Sequence, residues 1–230
     1  MGHPSDWDGI RAGLADYQTD ATEITVAENW SASIEQLAES APPSSILIGY
    51  SMGARLALGL ALKFPRRFSG LVFVSGNPGL ESASDREQRR LSDEQIAKRI
   101  ESEALEPFLE QWYQAEVFAS LSGELRHQEI QRKLRRASKD WPAILRANSV
   151  SQQPNFWPQL NELSVPMLVV AGELDQKYKA VARRIETEVT SANVTTTIVP
   201  QCGHIVHREQ PESLIGIIRN FAEQLGSRTG

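Results

Sequence analysis

The chain has 230 residues, 40 % of them apolar and 23 % charged, with a formal net charge of −5. That is enough chain for one domain with a buried core, and the mildly acidic balance argues against a general nucleic-acid binder, which is normally basic. No apolar run approaches the roughly 20 residues of a membrane span, the first seven residues lack the apolar stretch of a signal peptide, and the single cysteine, Cys202, permits no disulfide within the chain. A reducing compartment, cytoplasmic or stromal, is expected. The first element with a clear signature is Ser45 to Tyr50, an apolar run between Pro42-Pro43 and Gly53 that reads as a buried strand. Ala54 to Phe64 is rich in Ala and Leu and reads as a helix stopped by Pro65. Leu71 to Ser75 is a second strand, closed by Gly76-Asn77-Pro78-Gly79. From Glu81 to about Ser149 no strand is recognisable. The segment is charged and helix-forming, with Ser92-Asp93-Glu94-Gln95 as a helix start and further helical stretches at Leu109 to Trp112 and Ile130 to Arg136. Val165 to Ala171 and Thr195 to Val199 are further strands, a helix is expected near Tyr178 to Val189, and Pro211 to Leu225 is an amphipathic final helix with Pro211 in its first turn. Strands alternating with helices imply an α/β fold with a mostly parallel sheet wrapped on both faces. The all-helical stretch divides the chain into a first core part at 1–80, a cap at 81–149 over the carboxyl edge of the sheet, and a second core part at 150–230.

The chemistry-bearing motif is Gly49-Tyr50-Ser51-Met52-Gly53, a Gly-x-Ser-x-Gly sequence between a strand and a helix. In that context it predicts a nucleophile elbow, with Ser51 projecting above the sheet and the Met52 N–H facing a developing oxyanion. The alternative is a Gly-Ser turn without chemistry. Val169 to Asp175 runs off a strand into an acidic turn, where Asp175 can orient an imidazole or serve only as a helix cap. His204 lies in a Gly-His pair after the last strand. Ser, then Asp, then His, each after a strand and in that chain order, reads as a catalytic triad of Ser51, Asp175 and His204. His204 and His207 are three residues apart, but with Cys202 and Glu209 they make no recognisable metal-ligand set, and His207 reads as structural.

These residues identify the chain as an α/β-hydrolase relative that resembles the 2-succinyl-6-hydroxy-2,4-cyclohexadiene-1-carboxylate synthases of menaquinone and phylloquinone biosynthesis. Gly49 to Arg55 is similar to that family's elbow, including Tyr50 and Arg55. Ser75-Gly76-Asn77-Pro78-Gly79-Leu80, Arg89 to Asp93, Trp112-Tyr113 with Val117 to Leu121, Gln153-Pro154 and Gly172 to Tyr178 resemble its other segments. The resemblance implies a lyase without a cofactor. It takes a proton from a cyclohexene that carries a carboxylate, a succinyl chain and an enolpyruvyl ether, and it expels pyruvate. His204 and Ser51 would form the coupled base, Asp175 would hold the imidazole, and the Met52 N–H would stabilise charge on the ketone oxygen. A small polycarboxylate needs cations, preferably arginines. Arg55 and Arg89 match by offset, Arg135 is favoured as the third, Trp112 and Tyr50 would line the site, and Lys177 would lie near it or on the surface. Neither the quinone served nor the oligomeric state is legible.

The same resemblance carries a departure. The family's first strand and its His-Gly pair, which supplies a second oxyanion donor, have no counterpart in this sequence, and His3 is no substitute because no strand precedes it. A truncated chain or a natural short form with an impaired oxyanion site are the two expectations, and either would leave a sheet edge open. Two other functions compete with the lyase. An ester, thioester or carbon–carbon-bond hydrolase would use the same triad, and a non-catalytic binder of carboxylated ligands would keep the pocket alone.

Overall fold

The computed structural model describes residues 2–191 and 193–228. In chain order the helices and strands are α1 (Asp8–Gly13), α2 (Trp30–Ser40), β1 (Ile46–Tyr50), α3 (Met52–Lys63), β2 (Gly70–Val74), α4 (Ala83–Ser102), α5 (Leu105–Trp112), α6 (Gly123–Arg135), α7 (Trp141–Ala147), β3 (Met167–Gly172), α8 (Gln176–Glu188), β4 (Val194–Val199), α9 (Val206–Glu209) and α10 (Pro211–Arg228). Among the described residues the strands form one parallel sheet in the order β1-β2-β3-β4.

Every residue of β2 and β3 is buried, which is why these strands read as continuous apolar runs. Their side chains alternate between two layers. Leu71, Phe73, Met167 and Val169 face the core shared with α2, α3 and α8. Val72, Val74, Leu168 and Val170 face the opposite core, shared with α1 and α10. The parallel sheet covered on both faces is therefore as expected.

Between β2 and β3 the chain is helical and builds its own apolar cluster from Phe108, Leu109, Tyr113, Phe118, Leu121 and Ile130. That cluster closes on Ile205, in the loop after β4, and Tyr50 packs against its edge. One expected boundary is wrong. The helix does not start at Ser92-Asp93; α4 runs unbroken from Ala83, with the Ser82 hydroxyl accepting from the Asp85 N–H at 3.0 Å. An earlier cap was available, and no Gly or Pro interrupts the next 20 residues, so nothing stops the helix. Asp93 is consequently a buried mid-helix carboxylate rather than a cap. No helix among the described residues is long and apolar enough to cross a membrane.

Candidate active site

Ser51 occupies the turn between β1 and α3 with φ 50° and ψ −108°. A non-glycine residue in that region is strained, and such strain persists only where surrounding structure enforces it. Here β1 and α3 enforce it. The Ser51 N–H donates to Val74 O at 2.9 Å, and Ser51 O accepts from the Arg55 N–H at 3.2 Å, the first bond of the helix. The Met52 N–H, at the first helical position, has no intrahelical acceptor.

The two elbow glycines are not equivalent. A Cβ at Gly49 would fall inside the backbone of Gly53 and Ala54, whereas a Cβ at Gly53 would meet nothing. Gly49→Ala is therefore expected to cost at least the roughly 1–3 kcal/mol of overpacking and to yield little folded protein. Gly53→Ala is expected to be neutral, or to stabilise α3 by up to about 1 kcal/mol. Soluble yield and thermal melts of the two variants check this, and a Gly49→Ala protein that folds normally would refute the close approach.

Asp175 follows β3 and is only 4 % exposed. Both readings of it hold in geometry. Its Oδ1 accepts from the Tyr178 N–H at 3.2 Å and caps α8, while its Oδ2 is 2.7 Å from His204 Nδ1. His204, also 4 % exposed, follows β4. All three residues thus lie at the carboxyl ends of parallel strands, where open α/β sheets bind ligands. The His204 ring is walled by three aromatic rings from separate parts of the chain: Tyr50 at 5.1 Å, Tyr178 at 4.6 Å and, edge-on from the helical segment, Phe118 at 5.9 Å between centroids. Trp112 joins this wall indirectly, 6.2 Å from Phe118 and 6.0 Å from Phe108. Burial pushes the Tyr50 phenol well above its ordinary pKa, with Tyr113, Tyr178, Asp175 and Glu209 adding to the effect, so Tyr50 stays a neutral donor.

Arg55 is 7 % exposed and held at both ends of its fork. Nη1 donates to Gln153 Oε1 at 3.1 Å and Nη2 to Asn148 O at 2.8 Å. Burial draws its pKa down to about 10; Tyr178 opposes this and the charge of Arg89 reinforces it, so Arg55 remains a cation at neutral pH. Arg89 is half-exposed and its Nε donates to Asp93 Oδ1 at 2.8 Å. Asp93 Oδ2 accepts from the Ser149 hydroxyl at 2.6 Å, which fixes the carboxylate. The Arg89 charge also acts on Lys177, whose ammonium lies 5.6 Å from the Tyr178 ring. Lys177 therefore sits by the Tyr178 ring, which packs on His204; burial raises the Tyr178 phenol, and the charges of Arg55 and Arg89 oppose that rise.

Arg135 is not among these residues. It is exposed in the last turn of α6 and has no side-chain hydrogen bond or ion pair among the described residues, whereas Arg132, Lys133 and Arg136 converge on Asp6. Burial alone would raise the Asp6 carboxyl. The Lys133 charge and the hydrogen bonds from Lys133, Arg132 and the His3 N–H outweigh it and hold Asp6 well below the usual carboxylate range. His207 is packed between Trp7, stacked at 5.0 Å, and Tyr50 at 4.6 Å. Burial lowers its pKa to about 3, so it is a neutral packing residue. Tyr178, Phe118, Gln153 and Asp93 are contacts that the sequence did not single out as site residues. Tyr178 was within reach of a positional argument, because a residue three after a capping Asp lies in the first helical turn, above the cap.

The sequence model of the Alpha/beta hydrolase family matches residues 2–216. Over 176 residues the chain is 37 % identical to the 2-succinyl-6-hydroxy-2,4-cyclohexadiene-1-carboxylate synthase of Serratia proteamaculans, which takes in 76 % of this chain and 66 % of that protein. It is 31 % identical over 226 residues to Protein PHYLLO, chloroplastic, of Arabidopsis thaliana, covering 91 % of this chain but 13 % of that protein. The chain spans just under two thirds of the length of the bacterial relatives it matches. Among solved structures, MenH from S. aureus superposes with a TM-score of 0.84 at 25 % identity, over 97 % of this chain and 90 % of that one. A thermophilic esterase from Thermogutta terrifontis superposes with a TM-score of 0.72 at 21 % identity, over 96 % and 86 % of the two chains, a likeness of fold alone.

Proposed function

The chain belongs to the α/β-hydrolase family, and on that premise we propose that it is a carbon–oxygen lyase that eliminates pyruvate from 2-succinyl-5-enolpyruvyl-6-hydroxy-3-cyclohexene-1-carboxylate. The observation that carries this reading is the His204–Asp175 pair at 2.7 Å, with the buried cation Arg55 on the elbow helix and Lys177 beside Tyr178, which packs on His204. A substrate with three carboxylates needs such a setting, and a neutral ester would gain nothing from it. The names of the bacterial relatives point the same way.

In this reading His204, held by Asp175 through Nδ1, works with Ser51 as the base that removes the carbon-bound proton beside the succinyl ketone. The electron pair moves through the ring and breaks the carbon–oxygen bond to the enolpyruvyl group. Pyruvate leaves as its enolate and takes up a proton, and the ring, which began with one double bond, is left with two. The Met52 N–H, at the head of α3, stabilises the charge that develops on the ketone oxygen. Lys177, rather than Arg135, serves as the third cation. The helical segment at 81–149 acts as the cap: Phe118, backed by Trp112, puts an apolar ring beside His204, and Arg89 supplies a charge from α4. A cytoplasmic place of action fits the free thiol of Cys202, which burial pushes up to about 12 and keeps unreactive.

The test is pyruvate release from the precursor generated in situ by the preceding enzyme. Release above the spontaneous rate is expected from the wild-type chain. In Ser51→Ala it is expected to fall by about 10²–10⁴-fold, the usual contribution of acid–base catalysis. A p-nitrophenyl ester is offered in parallel. Ester turnover without pyruvate release would replace the lyase by a hydrolase that uses the same residues.

A further inference from the structure

Glu209 ends the short helix α9, five residues after His204, and its carboxylate turns back toward the loop before the helix. Oε2 accepts from the Gly203 N–H at 2.8 Å, and Oε1 accepts from the Ile205 N–H at 2.9 Å. The two donors are the residues on either side of His204. Oε2 also accepts from the Ser120 hydroxyl at 3.2 Å, and Ser120 belongs to the helical segment, two residues after Phe118. On the other side of the loop, the buried Ser75 hydroxyl donates to His204 O at 3.1 Å. Gly203 is packed so closely that a Cβ there would coincide with the Ser120 side chain and crowd Glu209.

A carboxylate that served only to cap α9 would need the Ile205 N–H alone. Glu209 takes three donors, brackets His204 from both sides and reaches across to the cap. We propose that Glu209 is the positioning residue of His204, and that through Ser120 it makes the cap and the base a single mechanical unit. This rests on the reading of His204 as the base. The imidazole is aimed by two constraints: Asp175 fixes the ring through Nδ1, and Glu209 with Ser75 fixes the backbone that carries it. Phe118 packs on the His204 ring and Ser120 on Glu209, so a displacement of this part of the cap would be felt at the base. Charge-assisted bonds from backbone N–H groups to a carboxylate are among the stronger hydrogen bonds, which suits a clamp.

Glu209→Gln tests this directly. The amide keeps one acceptor oxygen but turns an N–H₂ toward a backbone donor, so one side of the bracket is lost. Three measurements are made on the wild-type, Glu209→Gln and Ser120→Ala chains: amide hydrogen exchange, the downfield proton resonance of the His204–Asp175 hydrogen bond (assigned by its loss in His204→Ala), and pyruvate release. For Glu209→Gln, exchange at 203–205 is expected to rise, and the resonance to shift or broaden. kcat is expected to fall roughly 10- to 100-fold with KM little changed, because a group misplaced by about 1 Å can cost 10²-fold. Ser120→Ala keeps both loop bonds and guards against a Glu209→Gln protein that does not fold. Its exchange is expected to rise at 116–121 and at 203–205 together. Unchanged exchange and an unchanged resonance in Glu209→Gln would overturn the proposal even if activity fell. Unchanged exchange at both segments in Ser120→Ala would overturn the coupling to the cap. If the exchange and the resonance respond as expected but no form of the chain releases pyruvate, the clamp stands and the lyase reading fails.

Discussion

An Asp175→Asn chain is expected to lose about 10⁴-fold in kcat, the loss seen when a triad carboxylate becomes an amide, while melting close to the wild-type temperature. The separation follows from the two jobs of this side chain. Its Oδ1 caps α8 by accepting from the Tyr178 N–H, and Asn caps a helix about as well as Asp. Its Oδ2 partners His204 Nδ1. There the amide either presents an N–H₂, which forces the opposite imidazole tautomer, or turns to keep its oxygen and gives up the cap. In neither case does a carboxylate charge remain to stabilise the imidazolium that forms as the proton is taken. Pyruvate release measured beside a thermal melt checks both halves. Near-normal activity in a folded Asp175→Asn protein would reduce Asp175 to a helix cap. A collapse of the melting temperature would show that the cap, not the imidazole, dominates.

The second large effect is expected at Arg55. Arg55→Met should raise KM by roughly 10- to 100-fold, the equivalent of a charge-assisted hydrogen bond of about 1.5–3 kcal/mol. Arg55→Lys should recover only part of the loss, because a lysine cannot reproduce the fork that engages Gln153 and Asn148 and that in the proposed function would also engage a substrate carboxylate. Arg55 already spends Nη1 on Gln153 and Nη2 on Asn148, so in the proposed function it would meet a substrate carboxylate as a pre-aimed cation and lose little freedom on binding. Methionine leaves Gln153 Oε1 and Asn148 O without that donor, at a cost of about 1–3 kcal/mol for each buried unsatisfied group. A melting experiment must therefore accompany the kinetics. An unchanged KM in a folded Arg55→Met protein would make Arg55 a tie between α3 and residues 148–153 and nothing more.

The architecture was legible along the chain because its cause is local. β2 and β3 are apolar at every position and bounded by Pro and Gly. α3 is Ala- and Leu-rich and ends before Pro65. The elbow was legible for the same reason: Ser51, Gly49 and the flanking strand and helix are neighbours in sequence, and the positive φ of Ser51 is imposed by those neighbours. The order Ser51, Asp175, His204 could be read because a parallel sheet brings the ends of its strands to one edge, whatever the chain length between them.

The cations near the site and the clamp on His204 depend on contacts that no local pattern encodes. The end of α6 and its C-cap carry Arg132, Lys133, Arg135 and Arg136 within five residues, and nothing in that run says which faces a ligand. The answer came from Asp6, more than 120 residues earlier, which draws Arg132, Lys133 and Arg136 and leaves Arg135 in solvent. Asp93 read as a helix start because Ser-Asp is a capping pattern; its partner Arg89 lies one turn earlier on the same unbroken helix, and its partner Ser149 depends on α4 packing against α7. Glu209 is bound to Ser120 across 89 residues. The sequence by itself determined the sheet, the elbow and the order of Ser51, Asp175 and His204 along the strand ends, because hydrophobic periodicity and turn chemistry act over a few residues. Only the tertiary structure decided which charges surround the site and what aims the histidine, because the pairing of a charged side chain depends on what the folded chain packs against it.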